Sequence, residues 1–219
     1  KAMDETAGEL NAKFGTNQKV SIDVCIPYIQ AFAVQSEFGD INGDGIAESM
    51  NPADFASYVD DPASIEGKEQ MFHMAMENRK AAIHWFIDEV ERRFREAGYQ
   101  NLELTSYYWN GETVNPVIGE DILIKDTADY LKIKGYYFTW IPYITNYSQY
   151  LWKNLGMTTA SMQPNHSFSA YKKSIVAYNA ELAEKTGMST EIEYGYGMTT
   201  PNVARRFAEY LNTGIATGL

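Results

Sequence analysis

The sequence predicts an α/β fold: a (β/α) barrel of the TIM type, or part of one, with five visible β/α units. Three observations point there. Apolar, β-rich runs alternate with helical patterns along nearly the whole chain. Two strand exits echo each other, "CIPYI" at 25–29 and "WIPYI" at 140–144, as the βα turns of a repeated architecture do. The pattern opens and closes on a helix, which fits a barrel excerpt lacking its first two strands and its last, read as a single domain over 1–219.

Residues 2–14 have helical composition and stop at Gly15. "KVSIDVCIPYI" (19–29) reads as a strand, with Cys25 a small buried thiol in an apolar run. A long loop rich in Gly, Asp, Asn and Pro covers about 30–70. From about 71 to 97, Phe72, Met76, Ile83, Phe86, Val90 and Phe94 recur at three- and four-residue steps or their multiples. They predict an amphipathic helix closed by Gly98. Strands follow at 101–109, 135–144, 157–165 and 189–196, with helices near 119–134, 147–155 and 169–186. A last helix begins at Pro201 and runs to about Leu211.

Composition excludes several functions. The formal charge of −11 argues against a nucleic-acid backbone, which needs Lys and Arg to displace counterions, and against an anionic membrane surface. No apolar run approaches the roughly 20 residues of a membrane span, and no signal peptide is visible. The opening "KAMDETAGEL" has no initiator Met and reads as a processed or trimmed start. Aromatic residues make up 14%, with 16 Tyr and 4 Trp, amphipathic platforms that suit wet, flat ligands such as sugars as well as ordinary packing.

Chemistry in such folds collects at the carboxyl ends of the strands. There the sequence sets Tyr28 and Gln30, then Trp109, Asn110 and Glu112, then Trp140 and Tyr143, then Gln163, Asn165 and His166, then Glu193, Tyr194 and Tyr196. Acids, amides and aromatic faces are present. A nucleophile elbow, a phosphate-binding Gly loop and paired zinc-spaced histidines are not. Glycoside hydrolysis asks for this set: one carboxyl group protonates the leaving oxygen, a second attacks the sugar or activates water, aromatics stack and amides bind hydroxyls.

In "STEIEYGY", Glu191 and Glu193 share one face of a strand and Ile192 takes the other. If the glutamates face a barrel interior, Ile192 meets the helices, Glu193 lies nearer the rim and Glu191 one layer deeper. Glu112 follows one strand and Glu193 ends the third strand after it, the interval between acid/base and nucleophile in many retaining glycosidase barrels. The expected roles are Glu112 as acid/base and Glu193 as nucleophile, with Trp109, Trp140 and Tyr143 as the sugar platform and Tyr194 among the substrate-binding candidates. Asn110, Gln163, Asn165 and His166 would bind hydroxyls. Glu191 joins the ligand-binding candidates, with a structural role as its first reading. The competing account makes both strand glutamates structural acids paired with Arg or Lys, in a carbohydrate-binding or surface module without chemistry. His73 and His84 read as surface or boundary residues of a helix.

"FGDINGDGIAES" (38–49) carries an EF-hand-like spacing. Asp40, Asn42 and Asp44 stand at positions one, three and five, Gly45 at the turn, the Ile46 carbonyl at seven and Glu48 at nine. Position twelve is Asn51 rather than Glu, with Asp54 able to fold back. The expected cofactor is a structural Ca²⁺ that orders the long loop, with no organic cofactor; a solvated Asx turn is the alternative. A third reading, a metal-dependent hydrolase, would use the same loop for chemistry.

The segments "FGDINGDGIAE", "RKAAIHWFIDEVERRF", "NLELTSYYWNGE", "FTWIPYI", "WKNLGMTTASMQPN" and "TEIEYG", in this order, resemble one bacterial family, domain of unknown function forty-eight fifty-five. The resemblance covers about residues 16–219 and matches the family pattern at Glu112, Glu191 and Glu193. It implies a glycosidase-like barrel in secreted or surface proteins, hence an extracellular, periplasmic or cell-surface location and a carbohydrate partner. One position departs: Gly111 precedes Glu112 where members often carry a bulkier residue.

Overall fold

The computed structural model describes residues 1–29, 39–41, 43, 45, 47–167, 174–194 and 200–217. Five helices, α1 (Ala2–Phe14), α2 (Ile65–Ala97), α3 (Glu120–Lys134), α4 (Ser174–Thr186) and α5 (Pro201–Thr217), alternate with five strands among these residues. The strands are β1 (Val20–Ile26), β2 (Leu102–Trp109), β3 (Tyr137–Trp140), β4 (Thr159–Met162) and β5 (Ser189–Thr190). The strands form one parallel sheet in chain order, β1-β2-β3-β4-β5, a mixed α/β architecture compatible with a partial β/α barrel. The register sets Thr139 beside Thr159, Trp140 beside Ala160, Ser161 beside Ser189 and Met162 beside Thr190. Among the described residues no helix is long and apolar enough to cross a membrane.

The chain forms two compact units, one of Lys1–Tyr108 with Asn115–Tyr137 and one of Trp109–Val114 with Phe138–Leu219. In the first, α1 ends at Gly15 and α2 at Gly98, both in the left-handed conformation that glycine adopts without a Cβ penalty. The helix predicted from 71 begins earlier, at Ile65. The Ser64 hydroxyl accepts from the Gly67 N–H at 2.9 Å and caps the helix before its apolar period starts, so periodicity alone misses the first turns. Ile83 and Ile87 of α2 and Leu123, Ile124 and Leu131 of α3 are buried in the core. The two helices are also laced by polar contacts: His84 Nε2 to Asp126 at 2.8 Å, the Tyr130 hydroxyl to Asp88 at 2.7 Å, and Lys134 to Asp88 and Glu91 at 2.7 Å each. His84 stacks on Tyr130, centroids 3.8 Å apart, and His73 is exposed.

Arg79 is buried in this unit at 2% exposure. Its guanidinium donates to the Ile118 carbonyl at 2.7 Å and to the Ile29 carbonyl at 3.2 Å, tying the chain after β1 to the turn before α3. Glu120, also buried, faces it electrostatically and accepts the Asn115 N–H at 2.8 Å. Cys25 corrects the expectation of a buried thiol. It is exposed, on the same side of the edge strand β1 as Ser21 and Asp23, while Ile26 turns inward.

In the second unit, the segment expected as a helix over 147–155 makes a single 3-10 turn, Gln149–Leu151. Asn146 explains it: its Oδ1 accepts the Ser148 N–H at 2.9 Å, a local Asx turn that competes with helix formation. The strand expected over 189–196 keeps a ladder only at Ser189–Thr190, with the Glu191 N–H still reaching the Met162 carbonyl at 3.0 Å; residues 195 and 196 lie outside the described residues. The last helix runs six residues beyond the expected Leu211, to Thr217.

Replacing Arg79 by Leu keeps the volume apolar but removes both donors, leaving the Ile29 and Ile118 carbonyls without them. The expected loss is about 2–4 kcal/mol of unfolding free energy in urea titrations, and a loss below about 1 kcal/mol contradicts a clamping role.

Candidate functional site

The second unit gathers the acids that the sequence singles out. β2 ends at Trp109, and Asn110 and Glu112 follow it exposed. The backbone that carries Glu112 is fixed despite Gly111. The Gly111 carbonyl accepts the Trp140 indole N–H at 2.6 Å. The Glu112 carbonyl accepts the Tyr143 N–H and the Asn146 side-chain amide at 3.1 Å each. The residues leaving β3 therefore aim the Glu112 turn, which answers the glycine at 111.

The exit of β4 is built around Glu193. Pro164 and Met162 are buried, and Gln163 continues the pairing through a parallel bridge to Tyr143. Asn165 has φ 58, the one non-glycine residue with positive φ among the described residues, in a region that Asn tolerates better than most. This turn brings the successive N–H groups of His166 and Ser167 toward Glu193, a small cradle for an anion. The Tyr210 hydroxyl of α5 donates to Glu193 Oε2, and the Gln163 side chain adds a further favourable contact. Glu193 Oε1 has no partner of hydrogen-bond geometry, and the side chain is 4% exposed.

α5 is tied to the same turn. Arg206 donates to the Ser167 carbonyl at 2.8 Å. Glu209 accepts from Arg205 at 2.7 Å and pairs with His166 Nε2 at 2.5 Å. His166 is buried with its ring edge-on to Tyr210, so its Nε2 is committed to Glu209. Sequence reasoning missed Tyr210, Arg206, Glu209 and Ser167. The helical interval from Arg206 to Tyr210 to Thr213 marks one face of α5, but that period does not say which polar group the face meets.

Beyond β5 the chain is no longer strand; Glu193 is buried and Ile192, 51% exposed, faces α4 and α5. There Ile192 lines, with Val176 and Ala180 of α4 and Tyr210 and Gly214 of α5, an apolar cavity of about 260 Å³. Burial, then the charges of Glu193 and Glu112, lift the Glu191 carboxyl from 4.5 to about 7. Burial also raises Glu193, opposed by the Tyr210 hydroxyl, the two amides and Gln163. Tyr210 is in turn held protonated, first by burial and then by its bond to Glu193. Among the described residues no ion pair reaches Glu112, Glu191 or Glu193.

The aromatic candidates divide. Trp109 and Trp140 are buried, at 3% and 1% exposure. Trp109 packs edge-on against Phe138, and neither indole presents an open face for stacking. Both are packing residues under the site, which corrects their expected platform role. Tyr143 is half-buried, and Tyr194 is exposed with its ring edge-on to Phe207. Gln30 and Tyr196 lie outside the described residues, and Tyr28, exposed, belongs to the first unit.

Of the acidic loop, Asn42, Asp44 and Ile46 also lie outside the described residues. Asp40 accepts the Gly43 and Gly45 N–H groups at 2.6 and 2.8 Å. Glu48 is buried, with Oε2 on the Ile41 N–H at 2.6 Å and Oε1 without a partner. The Asp54 carboxylate accepts the hydroxyl of Ser49, at the end of this loop. An acid at each end of the spacing, one with a buried free oxygen, fits a hard cation.

The family profile described as domain of unknown function DUF4855 matches residues 1–219. The chain belongs to the DUF4855 family. No curated protein and no solved structure is significantly similar to it.

Glu191 carries a pH signature. Its folded pKa of about 7 exceeds the ordinary 4.5, so between these values the native state holds a proton that the unfolded chain has released. The stability that Glu191 contributes is full below about 4.5 and is lost as pH rises through about 7. Glu191→Gln is expected to flatten that slope and raise Tm by about 2–4 °C above neutrality, with no gain in acid. An unchanged slope in differential scanning calorimetry contradicts the assignment.

Proposed function

We propose that this DUF4855 chain is a glycoside hydrolase on a TIM-type barrel, cleaving an oligosaccharide or polysaccharide by a two-carboxylate retaining mechanism. One observation supports the reading: the backbones of Glu112 and Glu191 are joined through Tyr143, its bridge to Gln163 and the Met162 carbonyl, and neither these acids nor Glu193 has an ion-pair partner among the described residues. Structural acids of the surface-module account would be paired with Arg or Lys. Strands in unbroken chain order also favour a barrel over a doubly wound sheet, which reverses order at a switch point.

In this reading Glu193, held at Oε2 by Tyr210 and backed by the amides of His166 and Ser167, is the nucleophile that attacks the anomeric carbon. Glu112, on its pinned turn, protonates the leaving oxygen and then draws a proton from the incoming water. Glu191, lifted to about 7 by burial and then by the neighbouring charges, keeps its proton near neutrality. Tyr143 and Tyr194 offer the ring faces. Asn110, Gln163 and Asn165 offer hydroxyl ligands, and His166 braces the cradle. An extracellular, periplasmic or cell-surface location belongs to the same reading.

Retention requires the reacting carboxyl groups to stand about 5–5.5 Å apart with substrate bound, against about 6.5–9.5 Å for inversion. Hydrolysis of a glycan panel followed by NMR of the first-formed anomer tests this. Glu193→Gln is expected to lower turnover by at least about a thousandfold, with the wild type retaining configuration. Binding without turnover in both proteins overturns the hydrolase and leaves a carbohydrate-binding module.

Calcium at the acidic loop is a further part of the proposal. Glu48 Oε1 and the Asp40 carboxylate, with Asn42, Asp44 and the Ile46 carbonyl by sequence spacing, would supply hard oxygen ligands. Added Ca²⁺ at 100 times its Kd is expected to raise stability by about 2.7 kcal/mol, an effect that Glu48→Gln diminishes. A Tm unmoved by Ca²⁺ and by chelator contradicts a calcium site.

A further inference from the structure

We propose that the cavity between α4, β5 and α5 is a binding site for a neutral, apolar small molecule that carries one N–H or O–H group. The site lies within the second unit and does not depend on the hydrolase reading.

The cavity measures about 260 Å³. Its walls belong to the interior: Val176, Ala180 and Ala183 of α4, Met188 just before β5, and Tyr210 and Thr213 of α5 are all buried. Ile192, half exposed, stands at the edge where the cavity meets solvent. A space sunk this far among buried side chains suits a small molecule, not the face of a helix or strand. An apolar cavity of about 150 Å³ holds benzene, roughly 25 Å³ for each carbon, so this one has room for about ten heavy atoms.

The chemistry of the walls restricts the guest further. Among the described residues no charged side chain lines the cavity, and an ion that entered would lose its hydration with nothing in exchange. The hydroxyls of two lining residues are already committed. That of Ser189 pairs with the Ser161 hydroxyl at 2.5 Å, and that of Tyr210 donates to Glu193. Thr190 Oγ1, by contrast, is buried without a partner. An ordered water needs two to four polar partners, which the hydrocarbon walls do not supply. A guest with an apolar body and one polar hydrogen buries its carbon surface against α4 and α5 and gives the Thr190 oxygen a donor. It also packs against the Tyr210 ring, whose hydroxyl holds Glu193.

The test uses indole, a neutral bicyclic ring with one N–H, and indene, its hydrocarbon isostere, each titrated into the full chain by calorimetry. Indole is expected to bind one site with a Kd below about 1 mM, and at least about fivefold tighter than indene. Thr190→Val keeps the shape, removes the hydroxyl and should erase that preference. Ala180→Leu grows into the cavity and should abolish binding of both compounds, with Tm unchanged or raised. Nuclear Overhauser contacts from indole to the Val176 methyls and the Tyr210 ring of the wild type locate the guest even where the Leu variant fails to fold. No binding of either compound at about 3 mM, contacts to other residues, or a folded Ala180→Leu that binds as the wild type does overturns the site. Equal affinities for indole and indene, unmoved by Thr190→Val, overturn the part given to the Thr190 hydroxyl.

Discussion

The clasp of the Tyr210 hydroxyl on Glu193 is the interaction on which the rest of the second unit depends. A carboxyl group buried at 4% exposure with no cation beside it is costly unless donors surround it. The donors come from two directions. α5 supplies Tyr210, and the exit of β4 supplies the amides of His166 and Ser167 and the side chain of Gln163. Other features hold those donors still. Asn165 turns the chain, Arg206 fixes the Ser167 carbonyl, and the Glu209–His166 pair locks helix to turn. A network in which helix and loop converge on one acid has little packing rationale, since an apolar residue at 193 would dispense with all of it.

The site separates apolar support from wet chemistry. Trp109 and Trp140 fill the interior, and Trp140 uses its one donor on Gly111, which in turn aligns Glu112. Tyrosines stand nearer solvent. Behind Tyr210 lies the apolar cavity beside Ile192, so the ring that bears the Glu193 donor is apolar-lined on its far side. Burial there helps keep Tyr210 protonated and therefore a donor.

Much of this was legible in the sequence, and the losses have physical causes. The β/α alternation follows from local periods of 3.6 and 2, which a single sequence carries. The early start of α2 was lost because Ser64 acts through a cap bond rather than through apolar spacing. The missing helix at 147–155 turned on one Asn146 side chain. Cys25 misled because an apolar neighbourhood in sequence does not reveal an edge strand. Trp109 and Trp140 were legible as strand-end aromatics, yet their burial depends on Phe138 and on a carbonyl 29 residues away. Tyr210 is the clearest loss: it lies 17 residues beyond Glu193, and only tertiary packing joins the two.

Site-specific carbon NMR of the Glu193 carboxyl, titrated in wild type and in Tyr210→Phe, tests the central claim most directly. Burial opposed by surrounding donors predicts an apparent pKa above the ordinary 4.5 in wild type and a further rise when the tyrosine donor is removed. A Glu193 that titrates at the ordinary value and is indifferent to Tyr210 would mean that the clasp does not exist in solution, and the proposed site with it.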